Sequence, residues 1–240
     1  MKQNEKSRRM FLRDACCGTL GLAGRLGLAV NPRRGRQENE PHPGRGVGKA
    51  EERERRFPRR QGDGFVSGHI RRMEIARSQI PFAVMLGCSD SRVSPELLFN
   101  TGLGELFIVR NAGNTIDTVA LGSIQYGVLV LGAPLIVVLG HQRCGAVEAA
   151  LSVVQKNATF PGSIGQMIEP IIPAALKASS TGGFKGDALL DAAVRENVRR
   201  SVDRLRNSEP SLIQPLRAGK LKIVGARYDL DDGRVDFFVE

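Results

Sequence analysis

The chain has no tryptophan, two tyrosines and ten phenylalanines in 240 residues, an aromatic content of 5%. It also lacks any run of about 18 apolar residues, which excludes an ordinary membrane-spanning helix. Cysteine and histidine are scarce, at four and three. Four cysteines, of which Cys16 and Cys17 are adjacent, do not make the disulfide framework of a small loop-rich domain. The length is nevertheless enough for one α/β domain with a full hydrophobic core.

Acidic residues are outnumbered, 25 against 35 Lys and Arg, giving a net charge of +10. The excess is not evenly spread. Residues 1–80 carry 19 basic and 9 acidic side chains, whereas residues 81–240 carry 16 of each. The globular part is therefore neutral. The basic third has few aromatics on which bases could stack and no recognisable binding module, so no specific nucleic-acid partner is expected.

What the chain does have is two apolar runs that each end in a glycine and then in metal-binding side chains. Phe82-Ala83-Val84-Met85-Leu86 leads through Gly87 into Cys88-Ser89-Asp90-Ser91-Arg92. Leu135-Ile136-Val137-Val138-Leu139 leads through Gly140 into His141-Gln142-Arg143-Cys144-Gly145. A lone cysteine after a buried strand is usually a small core hydrophobe, and a lone histidine usually a packed one. The pairing points elsewhere. Two thiolates and one imidazole form a three-ligand set that leaves zinc's fourth tetrahedral position free for water, the pattern of a catalytic site. A closed structural site needs a fourth ligand, and only Cys16, Cys17, His42 and His69 remain.

These motifs resemble the β-class carbonic anhydrases, which carry Cys-x-Asp-x-Arg after their first strand and His-x-x-Cys-Gly after their third. Arg110-Asn111-Ala112-Gly113-Asn114 is similar to the family's segment after strand two, and Ala226 to Val235 to its final hairpin. The likeness covers residues 62–240. It implies one Zn2+ per chain on Cys88, His141 and Cys144, with reversible hydration of carbon dioxide to bicarbonate and a proton. Asp90, kept ionised by Arg92, would accept a hydrogen bond from the hydroxide and aim it at the substrate. Gln79 matches a family glutamine that binds substrate, although an exposed loop amide fits it as well. Gly145 would leave room for substrate beside the metal, and Arg110, Asn111 and Asn114 would hold the site or a subunit interface. The family also implies a homodimer or higher homo-oligomer. Met85 stands where bicarbonate-regulated members carry tryptophan, which argues against that regulation here. Alternatives are hydrolysis of carbonyl sulfide or carbon disulfide at the same site, and a zinc-binding relative without catalysis.

The spacing of apolar runs predicts an α/β fold: a mainly parallel central sheet flanked by helices, with a C-terminal antiparallel hairpin. Strands are expected at Phe82–Leu86, Leu106–Arg110 and Leu135–Leu139, and at Lys222–Ala226 and Val235–Val239 around Asp231-Asp232-Gly233. Helices are expected over Thr118–Val130, Gly145–Val154 and Ala188–Leu205. Residues 155–186 read as a loop-rich excursion broken by Pro161, Pro170 and Pro173. If strand one is central, with strands two and three on either side, Cys88 meets His141 and Cys144 in the crevice beyond the strands' carboxyl ends.

Ahead of this domain, residues 31–61 are rich in Arg, Gly, Pro and Glu, the composition of a disordered or irregular basic linker. Residues 1–30 read as a targeting segment. Ser7-Arg8-Arg9-Met10-Phe11-Leu12-Arg13 resembles the bacterial twin-arginine export signal, and a weakly apolar stretch to Val30 follows. That route moves folded proteins, so thiolate ligands would be metal-bound before reaching an oxidising compartment. A periplasmic or other extracytoplasmic location is expected, or a cytoplasmic one if Arg25 marks a merely basic amphipathic tail. Replacing Arg8 and Arg9 together by Lys keeps the charge but removes the planar guanidinium forks. The double variant should accumulate in the cytoplasm on fractionation; an unchanged distribution would reject the signal.

Overall fold

Two strands of this chain are buried at every position, and the rest of the fold is arranged to cover them. They are β1 (Ala83–Cys88) and β3 (Leu135–His141). Their near-continuous apolar sequences are what a parallel strand covered on both faces requires. In this computed structural model, which describes residues 69–207 and 210–240, three further strands join them. These are β2 (Leu106–Asn111), β4 (Lys222–Tyr228) and β5 (Val235–Val239). The sheet order is β2-β1-β3-β4-β5, parallel except for the antiparallel β4–β5 pair. The fold is thus the expected one, with β1 between β2 and β3. The expected export segment and linker, and residues 62–68 of the expected domain, lie outside the described residues.

Alternation along the strands feeds two cores. Val84, Leu86, Ile136 and Val138 face a cluster with Ile124, Val198, Val202 and Leu205. Ala83, Met85, Leu135, Val137 and Leu139 face Val93, Phe99, Val224 and Ala226. The helices are α1 (His69–Ile75), α2 (Pro95–Phe99), α3 (Thr118–Gln125), α4 (Gly145–Lys156), α5 (Gly162–Ile168), α6 (Ile172–Ser180), α7 (Gly186–Asn207) and α8 (Pro210–Arg217). The first cluster takes residues from α3, α7 and α8 and the second from α2, while α4 to α7 form a third around Cys88 and Cys144. A wider π-type turn, Tyr126–Val130, continues α3. Among the described residues no helix is long and apolar enough to cross a membrane.

One expectation is corrected. Residues 155–186 are not loop-rich: they form α5, a 3-10 turn at Glu169–Ile171, and α6. The prolines do end any long helix, but they also begin the short ones. Pro161 is the residue before α5, and Pro170 and Pro173 occupy first-turn positions, where the missing N–H has no partner to lose.

The longest helix, α7, sits directly on strand backbone. A Cβ on Gly140 would lie 2.6 Å from Val198 Cγ2 and 3.1 Å from Val194 Cγ1, and one on Gly225 would lie 2.8 Å from Val198 Cγ1. Glycine in both strands therefore sets how closely the helix approaches the two strands beside it. Gly140→Ala should lower unfolding stability in urea by about 1–3 kcal/mol. Adding Val198→Ala should cost less than the two changes summed, since it removes the clash. Additive losses would show that no such contact limits the packing.

Candidate metal centre

Parallel pairing brings the ends of β1 and β3 to one edge of the sheet, with Gly87 opposite Leu139. Cys88 is the last residue of β1, His141 the last of β3, and Cys144 the residue that starts α4. All three are buried. Their ligand atoms lie within 4.8 Å of one another, and the two sulfurs are 4.0 Å apart. His141 Nδ1 lies 3.0 Å from the Gln142 carbonyl oxygen, so it carries the proton and donates it there. That leaves Nε2 as the ring nitrogen available to a ligand bond. It is buried with no hydrogen-bond partner among the described residues. An orphaned imidazole nitrogen beside two buried sulfurs is a donor set with nothing to donate to, which is what a metal ion would satisfy.

Electrostatics agree. The hydrogen bond from Cys144 lowers the pKa of Cys88 against the opposing effect of burial, and contacts with His141 and the Gly113 N–H lower it further. The same shared bond and burial raise that of Cys144. The two sulfurs thus compete for a shared proton, and a cation between them favours the ionised form of both.

Asp90 follows Cys88 on the rim of the site. Its Oδ1 accepts from the Arg92 backbone N–H and Nε, both at 2.9 Å, and its Oδ2 accepts from Arg92 Nη2 at 2.7 Å. This two-pronged grip holds the Asp90 carboxyl well below the usual carboxylate range. Asp90 is thus ionised at neutral pH, with Oδ2 3.8 Å from His141 Nε2. Arg92 Nη2 also donates to the Arg143 carbonyl at 3.2 Å, tying the two motifs together. Arg110 donates to the carbonyls of Cys88 and Asp90, both at 2.8 Å, and so fixes the backbone of the first motif. Asn111 exchanges two 2.8 Å bonds with the Thr115 backbone, closing the loop that holds buried Asn114.

Gly145 is exposed, with no atom within 4 Å of where a Cβ would stand, so space is open beside Cys144. Gln79 is not brought to the cluster within this chain. It is exposed on the segment before β1, at the far end of that strand from Cys88, and six strand residues alone span about 20 Å.

Two holding devices were not visible in the sequence. Arg143, in the left-handed region at φ 53, donates to Asp231 from Nη1 at 3.0 Å and Nη2 at 2.6 Å. Gln142 donates to the same carboxylate at 3.0 Å and accepts from the Leu230 N–H at 3.0 Å. The hairpin turn thus clasps the two residues between His141 and Cys144. Asn197 of α7, also buried, donates to the Gly113 carbonyl at 2.8 Å. A polar residue beside the apolar positions Ala193, Val194 and Val198 was the only signal for it.

A family model described as carbonic anhydrase matches residues 83–235. The chain belongs to the carbonic anhydrase family. It is 43% identical over 169 residues to a carbonic anhydrase of Mycolicibacterium smegmatis, covering 70% of this chain and 80% of that one. It is 42% identical over 163 residues to carbonic anhydrase 2 of Mycobacterium tuberculosis, covering 68% and 77%. Its fold is similar to that of the Coccomyxa β-carbonic anhydrase solved in complex with acetazolamide, with a TM-score of 0.63 and 28% identity over 81% of this chain and 83% of that one. Within the carbonic anhydrases it is of the β class.

Cys88→Ser, His141→Ala and Cys144→Ser should each purify without a full metal equivalent, because two remaining donors cannot hold the ion. Their loss should exceed the about 10–100-fold weakening typical of a change one shell further out. Metal analysis of the folded variants decides it: any of the three keeping one equivalent would remove that residue from the ligand set.

Proposed function

We propose that this chain is a zinc enzyme catalysing the reversible hydration of carbon dioxide to bicarbonate and a proton. One observation carries the proposal: the buried donors of Cys88, His141 and Cys144 converge beside a carboxylate that Arg92 keeps charged. Sulfur and imidazole donors suit zinc, and three of them leave one tetrahedral position for a reacting molecule. When bound, zinc lowers the pKa of water toward neutrality and so supplies a hydroxide nucleophile.

The chain's own residues then have separable tasks. Asp90 accepts a hydrogen bond from the nucleophile's remaining proton, which turns the oxygen lone pair toward carbon. Arg92 engages both oxygens of Asp90, so the carboxylate is oriented before substrate arrives and is kept from turning onto the metal. The open space at Gly145 admits a small linear molecule. The buried strand ends and α7 exclude bulk water from the far side of the cluster. A second copy of this chain is the proposed partner: Val119, Tyr126, Leu129 and Val130 leave large apolar surface exposed along α3 and its π-type turn.

Zinc content, carbon dioxide hydration and light-scattering mass should be read on one purified sample. The expected result is one zinc per chain, active hydration and a mass above that of one chain. Asp90→Asn and Arg92→Ala should keep the zinc while hydration falls by about 100-fold or more. Full zinc without hydration in the unmutated protein would leave only a metal-binding fold. Turnover of carbonyl sulfide or carbon disulfide in its place would reassign the substrate.

A further inference from the structure

Among the buried polar groups outside the site, one reaches the site through the backbone. Asn197 lies on α7, 4% exposed, among Ala193, Val194 and Val198 of the helix's apolar stripe. Burying an amide there is costly unless it is hydrogen-bonded. Its partner is distant in sequence: Nδ2 donates to the Gly113 carbonyl at 2.8 Å. Gly113 in turn donates its N–H to Cys88 Sγ at 3.3 Å.

Gly113 needs such an anchor. It sits at φ 75 and ψ 17, in the left-handed region, and Asn114 after it is left-handed too, at φ 45. It is also wedged: a Cβ there would lie 2.5 Å from Ile171 Cδ1 and 3.1 Å from Ala146 Cβ, so no side chain is available to fix its rotation. Its carbonyl and its N–H belong to successive peptide groups hinged at one Cα. Anchoring the carbonyl therefore restrains the Cα that both groups share, and with it the place from which the N–H reaches the sulfur. A displacement of the Gly113 Cα that released the Asn197 bond would also draw the N–H off the sulfur.

We propose that Asn197 is a positioning residue for the Cys88 thiolate, holding Gly113 in place so that its N–H stays on that sulfur. The proposal rests on the reading of the cluster as a metal centre. An N–H donor draws electron density from a thiolate, so the sulfur gives less charge to the metal and the metal stays a stronger acid. Asn197, which touches neither the ion nor the substrate, thereby adjusts the donor strength of one ligand and not of the other two.

The test uses the full chain loaded with cobalt in place of zinc, because thiolate-to-cobalt charge transfer absorbs in the near ultraviolet. Asn197→Leu should move that band to longer wavelength, as expected for a sulfur released from its N–H donor. Ser201→Ala, which changes another buried polar residue of the same helix, should leave the band in place. If Asn197→Leu does not fold, Asn197→Ser is read by the same band and should shift it in the same direction. An unmoved band in the folded variant overturns the proposal, whatever its melting temperature, and so does an equal shift in Ser201→Ala. A wild-type protein that binds no cobalt through sulfur would instead refute the metal reading itself.

Discussion

The register between β1 and β3 is the constraint on which the site depends. Val84 lies opposite Ile136 and Gly87 opposite Leu139, so the two strands finish almost level. A slip of one residue would turn every side chain to the opposite face and carry Cys88 away from His141. Burial on both faces prevents the slip, because each displaced residue would exchange one packed core for another of different shape. The seating of α7 on Gly140 and Gly225 adds a second lock, since the helix can approach only where those glycines stand. Packing far from the chemistry thus sets a distance of a few ångströms at the metal centre.

Within that frame, the site gathers negative charge where water is scarce. Two sulfurs and a carboxylate crowd an imidazole, and the surroundings answer with donors and cations. Arg92 holds Asp90, Arg110 holds two carbonyls of the first motif, and the Gly113 N–H meets Cys88. None of these partners is free to turn, because each is bound at a second point or confined by packing. A group so confined needs little reorganisation when charge develops beside it, which is where preorganised sites gain over water.

Much of this was legible in the sequence, and the reasons are specific. Unbroken apolar runs ending in Gly87 and Gly140 marked strands whose tips carry ligands, and the structure extends them only to Cys88 and His141. The helix over Ala188–Leu205 lies inside α7 because its apolar stripe repeats at helical spacing. Residues 155–186 misled because proline was read as a breaker, whereas Pro161, Pro170 and Pro173 stand at helix starts. The clasp from Asp231 and the bond from Asn197 were hidden for another reason. Their partners are an arginine and a glycine carbonyl in distant loops, and such long-range contacts leave no local pattern in sequence.

That distance along the chain has a consequence for how the protein is made. All three proposed ligands have left the ribosome once Cys144 has, but two of the side chains that steady them have not. Asn197 arrives with the longest helix, and Asp231 only with the last hairpin, whose β4 must first pair beside β3. A growing chain therefore carries thiols before it carries the scaffold that orders them. A chain truncated before the hairpin would keep its proposed ligands and lose their clasp.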